Sequence, residues 1–309
     1  MRLAALLVVA GCAHPSAPAT PPPTVANAGL DDGGFAVRIL DPGREPRRTL
    51  RYDLHLAQYL SIVLLTQIAT NLVMVDPVAG KVVRDSDTPT IREILGVEVK
   101  AKLPDGSVRL AWKLEATSVL DDVPLEAKQR ANLETTRAAL VGMHGEARLN
   151  PRGVMSEATF DLPPGAPASV ASLLEAMRDA LTKMYVPLPV DPVGLGATWE
   201  VASGFPMMGA KVATTWRDHL VALDASSARW EMTVTMTARD QPIATSGMTG
   251  MLHTLTGKGH GEVGWSPHQM MPLGRVQMIT DGAFSLGSGG QALEATMHST
   301  VDVASRPSH

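Results

Sequence analysis

The sequence is short of almost everything that marks a catalytic or nucleic-acid-binding chain. It has one cysteine in 309 residues, so no disulfide can form within it. Aromatic residues are only 4% of the chain, while methionine is frequent at 16, so a core must be built from Leu, Val, Ala and Met. The net charge is -4, which offers no basic footprint for nucleic acid. Beyond the N-terminus no apolar run is long enough to cross a membrane as a helix. The longest, near Leu60 to Leu65, has the length of a buried strand. Catalytic signatures are missing too: there is no Gly-x-Ser-x-Gly, Ser-x-x-Lys, His-Glu-x-x-His or Walker loop. Gly257-Lys258-Gly259 lacks the flanking glycine and hydroxyl of a phosphate loop, and Gly287 to Gly290 is read as a plain loop. The expectation is therefore a protein that is not an enzyme and carries no cofactor.

The single cysteine has a specific context. Arg2 is a minimal positive start, Leu3 to Ala10 is a short apolar stretch, and Val9-Ala10-Gly11-Cys12 follows. A branched apolar residue, two small residues and cysteine resemble the lipobox of bacterial lipoproteins. Small residues suit the peptidase groove, and the thiol accepts the lipid. Residues 1–11 are expected to be a signal peptide and Cys12 the lipid attachment site. The mature domain would then contain no thiol. From Ala13 to about Asp32 the chain is rich in Pro, Ala and Thr, including Pro21-Pro22-Pro23. Residues 12–33 read as an extended tether, reaching on the order of 60 Å at the polyproline rise.

Residues 34–305 read as a single β-rich domain, with Phe35 to Leu40 a first short strand and period two the dominant signal from Leu50 onward. Ile91, Leu95, Val97, Val99, Ala101 and Leu103 share one face with Glu93 as the exception. Val108, Leu110, Trp112, Leu114 and Ala116 alternate in the same way. Pro104-Asp105-Gly106-Ser107 between them is turn chemistry, so a β-hairpin is predicted with Val99 opposite Leu110 or a neighbour. The cleanest strand is Arg229 to Arg239, and a later one spans Leu293 to Val303. Half-polar alternation of this kind suits an antiparallel sheet.

Two helices are expected. Val170, Leu173, Leu174, Met177, Leu181 and Met184 form one stripe over 167–185. A weaker helix runs over 123–141, with Asp122 as N-cap and Gly142 as stop. His144-Gly145-Glu146, Pro151 and Met155 recur 116 residues later as His260-Gly261-Glu262, Pro267 and Met271. Two related units, about 49–163 and 188–304, are read from this repeat. The predicted fold is mainly β: one curved antiparallel sheet from two related halves, with one or two packed helices.

This organisation, with Pro187-Leu188-Pro189 and Val193-Gly194-Leu195-Gly196-Ala197-Thr198-Trp199, resembles a family of uncharacterised bacterial envelope lipoproteins. The resemblance implies a location and a fold; the family carries no assigned catalytic residues. The expected location is the cell envelope, with the outer membrane favoured because Ala13 is not the aspartate that retains some lipoproteins in the inner membrane.

Two groups of residues are candidates for a site. Met177, Leu181, Met232, Val234 and Met236 fall on predicted inward faces, where flexible thioethers adapt to varied apolar shapes. They either line a site for an apolar small molecule or lipid, or fill a core short of aromatics. His144 and Glu146, and His260 and Glu262, would share a strand face, with His253 near the second pair. They are weak metal or acid–base candidates, because a metal site normally needs three or four ligands. The expected partners are the membrane through lipid on Cys12, an apolar ligand, or an envelope protein; nucleic acid is not among them. Replacing Cys12→Ser should abolish acyl labelling and membrane fractionation together. Retention of the mutant in membranes after a high-salt wash would place the anchor elsewhere.

Overall fold

The computed structural model describes residues 34–76, 80–164, 187–207, 209–245, 248–288 and 291–308. The expected signal peptide, tether and Cys12 lie outside these residues, as does the expected helix over 167–185 with Met177 and Leu181. In chain order the elements are β1 (Phe35–Asp41), β2 (Tyr59–Asp76), β3 (Gly80–Lys102), β4 (Val108–Val119), α1 (Ala127–Ala138), β5 (His144–Leu149) and β6 (Met155–Ser156). They continue with β7 (Thr198–Met207), β8 (Ala210–Leu223), β9 (Ala228–Thr245), β10 (Met248–Trp265), β11 (Leu273–Ser288) and β12 (Gln291–Pro307). Among the described residues these strands form one antiparallel sheet in the order β1-β7-β8-β9-β10-β11-β12-β2-β3-β4-β5-β6, which does not close. The mainly β fold with minor helix is as the alternation predicts.

Local chemistry explains most of the pairing. Val99 stands opposite Leu110 in the β3–β4 hairpin. Its turn is closed by the Leu103 amide donating to Ser107 and the Gly106 amide donating to Leu103, and Gly106 takes a φ of +83° that an L side chain resists. On β9, Trp230, Met232, Val234, Met236 and Ala238 are buried while the residues between them are exposed.

The curvature follows from residues 42–58, a strap without regular structure that joins β1 to β2. Its apolar residues Leu50, Tyr52 and Leu54 are buried in the core. The Tyr52 amide donates to Pro151 in the β5–β6 turn, and the next amide, Asp53, donates to Pro267 in the β10–β11 turn, both at 2.8 Å. Those turns are six strand positions apart in the sheet order. In a flat sheet six spacings amount to roughly 29 Å, whereas adjacent Cα atoms are about 3.8 Å apart. The sheet must therefore curl round the strap. The Leu188 amide, shortly before β7, donates to Arg152 beyond β5, so the two edge regions also meet. The buried faces of near and far strands join in a single apolar cluster.

β3 to β6 and β8 to β11 each run as consecutive antiparallel neighbours, and the two repeat prolines are the ones that grip Tyr52 and Asp53. Strand lengths differ, since His144 opens the six-residue β5 whereas His260 lies deep in the eighteen-residue β10. The predicted weak helix is shorter than expected. Asp122 is not its N-cap; its carboxylate accepts from the Thr90 amide at 3.0 Å. Glu126 and Gln129 form a capping box instead. No residue of α1 is buried; Leu140 and Met143 just beyond it are. Glu93, the polar exception on β3, is 1% exposed and pairs with Arg137 of α1 at 3.3 Å.

The Val193 to Trp199 segment has a steric reason for its glycines. The strap crosses it at Gly43 and Gly194, where the Gly194 amide donates to Pro42 and the Arg44 amide donates to Leu195. A Cβ on Gly194 would stand 1.7 Å from the Arg44 carbonyl oxygen. Gly194→Ala is therefore expected to cost about 3 kcal/mol or more, read as a fall in the urea midpoint. Leu195→Ala, at a 41% exposed position, should cost less than about 1 kcal/mol.

Candidate functional site: an acid among indoles on β7 to β9

Period-two alternation aims Trp199 and Val201 of β7, Thr214, Trp216 and Asp218 of β8, and Trp230, Met232, Val234 and Met236 of β9 into the core. The register then fixes who meets whom. Asp218 stands between Trp199 on one side and Met232 on the other; Trp216 stands between Val201 and Val234; Thr214 faces Met236. Trp199 and Trp230 meet edge-on at 5.7 Å, and Phe35 lies 6.4 Å from Trp216. Three of the five residues expected to line an apolar site, Met232, Val234 and Met236, thus form one wall of this patch. Met177 and Leu181 lie outside the described residues.

The polar groups in the patch are unusual. Asp218 has no exposed surface, and neither carboxyl oxygen has a hydrogen-bond partner. The indole nitrogens of Trp199, Trp216 and Trp230 and the hydroxyl of Thr214 are likewise buried without partners. A buried carboxylate without compensation is strongly disfavoured, so the neutral acid prevails. Burial pushes the Asp218 carboxyl up to about 8; the Trp199 indole opposes the shift without reaching hydrogen-bond geometry. At neutral pH the patch presents an O–H donor and several N–H donors within an apolar wall. Among the described inward residues of β7 to β9 named above, Asp218 is the one titratable group.

The His-Gly-Glu pairs lie elsewhere. His144 and Glu146 are exposed on β5, where the His144 ring meets the Gly142 carbonyl and Glu146 lies 3.6 Å from Arg109. His260 and Glu262 are exposed on β10, with Glu262 paired to Arg229 at 2.8 Å. Among the described residues neither pair joins a third metal-ligating side chain. His253 meets Ser285 instead. Among the described residues the one group of three metal-ligating side chains is Asp53, His55 and His268, the last more than two hundred residues from the other two. Sequence reasoning missed that group and Asp218. Asp218 did leave a signal: it interrupts the apolar alternation of Val212, Trp216 and Leu220. No family model matches the chain, and no curated protein matches it.

The Asp218 shift gives a pH dependence with a definite sign. Between the ordinary value of 3.8 and about 8 the folded chain holds a proton that the unfolded chain has released. Stability therefore falls as pH rises through that window, by up to about 1.4 kcal/mol per pH unit from this group. Thermal melts from pH 5 to 8 should show a falling Tm. Asp218→Asn, which cannot ionise, should flatten the fall. An unchanged slope in the mutant would remove Asp218 as its source.

Proposed function

We propose that this protein is a lipid-anchored envelope lipoprotein that holds an apolar ligand, such as a lipid, against the inward face of β7 to β9. The observation that carries the reading is Asp218, wholly buried with both oxygens unpartnered beside three indoles whose N–H groups are also unspent. Native interiors seldom leave so many polar groups unsatisfied in one place, because each costs about 1–3 kcal/mol. Convergent donors in an apolar wall suit a long apolar chain ending in acceptor oxygens, as in a fatty acid or glycerolipid. The methionines of β9 supply a wall that adapts to chains of different shape. Anchoring through Cys12 would keep such a carrier beside its lipid source. The competing reading is a structural or protein-interaction module of the envelope. It is favoured by the close packing of Met232, Val234 and Met236, each 3% exposed or less.

Delipidated protein titrated with oleate and with phosphatidylethanolamine separates the two. Binding at a hundred times Kd should raise Tm by roughly 5 °C or more. Asp218→Leu removes the unpaired acid, so it should raise the Tm of the ligand-free protein while abolishing the lipid-dependent shift. If wild type shows no shift with either lipid, the carrier reading fails and the structural module stands in front.

A further inference from the structure

The strap that curls the sheet also assembles a set of metal-ligating side chains. Asp53 and His55 belong to the strap, and His268 belongs to the β10–β11 turn. The two segments are fastened by the Asp53 amide donating to Pro267 at 2.8 Å and by the Gln58 side-chain amide donating to the His268 carbonyl. The His55 amide donates to the Gln58 side chain at 3.1 Å, which fixes the strap locally. The His268 ring meets the Asp53 backbone carbonyl through Nδ1 at 2.7 Å. A carbonyl can only accept, so Nδ1 is the donor, which in the neutral ring leaves the lone pair on Nε2. Metal-binding imidazoles are commonly oriented by this bond to a backbone carbonyl. The His55 ring stands nearly perpendicular to that of His268 with centroids 5.0 Å apart.

One ligand atom from each of Asp53, His55 and His268 lies within 4.8 Å of the other two. Ligands around a tetrahedral zinc are about 3.3 Å apart, given bonds of about 2.0–2.1 Å, so small side-chain rotations close the set. Lys102 holds one oxygen of Asp53 at 3.0 Å and leaves the other for a cation. All three residues are exposed, so water can complete the coordination. We propose that Asp53, His55 and His268 form a site for a borderline divalent transition metal, zinc above all. Two imidazoles and one carboxylate are donors for such ions rather than for calcium or magnesium. A bound ion would staple the strap to the β10–β11 turn and so reinforce the curl, independently of any lipid held on β7 to β9.

The test is calorimetric titration of the untagged protein with zinc sulfate at pH 7.5. About one equivalent should bind with a Kd in the micromolar range and raise Tm. His55→Ala should weaken binding at least ~10-fold. Because the His55 side chain is exposed and its contacts are the His268 ring and the charge of Asp53, this variant should stay close to the wild-type Tm without metal. Lys102→Met removes a cation beside the site and should tighten binding several-fold, which general surface binding would not show. His298→Ala, an exposed histidine elsewhere, should change nothing. The site does not exist if wild type binds zinc no more tightly than ~100 μM. Binding that is unchanged in His55→Ala would overturn it equally.

Discussion

Two neighbouring backbone amides set the shape of this molecule. Tyr52 donates to the β5–β6 turn and Asp53 to the β10–β11 turn, so regions half a sheet apart are held within one peptide of each other. Strand twist curves a sheet of this size, but it does not say where the curl ends. The strap does, because its own buried Leu50, Tyr52 and Leu54 need apolar surroundings that only the curled sheet supplies. Gly43 and Gly194 let the strap cross the approach to β7 at backbone contact. The strap and the sheet therefore stabilise each other, and neither has an evident reason to adopt its path alone.

Curling turns a pattern of alternation into an interior. Each long strand contributes one apolar face, and the faces of distant strands merge into a single cluster. With few aromatics in the chain, their placement matters: Trp199, Trp216 and Trp230 all gather on β7 to β9 around Asp218. The richest aromatic region of the core thus also contains its most isolated acid. Hydrophobic burial there is large, and the uncompensated polar groups subtract from it. A sequence selected for stability alone would fill these positions with apolar residues.

Most of the strand content was legible, and for a simple reason. Alternation over ten or more residues has no other structural meaning, and Pro104 to Ser107 dictates a hairpin with little freedom of register. Long-range order was less legible. Nothing in β12 or β2 announces that Thr300 pairs with Ala69, because that neighbourhood depends on the curl and the curl depends on an aperiodic strap. The same limit hid the Asp53, His55 and His268 group, whose members are brought together by the strap and the β10–β11 turn rather than by a motif. Asp122 was misplaced as a helix cap because an aspartate before a helix reads identically whether it meets the helix or, as here, Thr90 on a neighbouring strand. Glu93 stood out in the sequence as a break in an apolar face; Asp218 breaks one in the same way and was missed. What they break the pattern for required the third dimension.

Those two acids make the most instructive comparison in the fold. Both face the interior, and burial raises both carboxyl pKa values. Glu93 has been given a partial answer: Arg137, carried in the last turn of α1, reaches one of its oxygens and offsets part of the rise, while the other oxygen stays without a partner. The insertion between β4 and β5 thus brings a cation to a buried carboxyl. Asp218 has received no such partner, although Arg217 beside it in sequence is occupied on the outer face with Glu200 at 2.7 Å. A chain able to pair one interior acid has left the other as a neutral donor among unspent indoles. An isolated acid of that kind is costly to the folded chain by itself, and the cost is offset once a ligand presents an acceptor to it. This difference in treatment, more than the abundance of methionine, is the physical argument for reading β7 to β9 as a binding face.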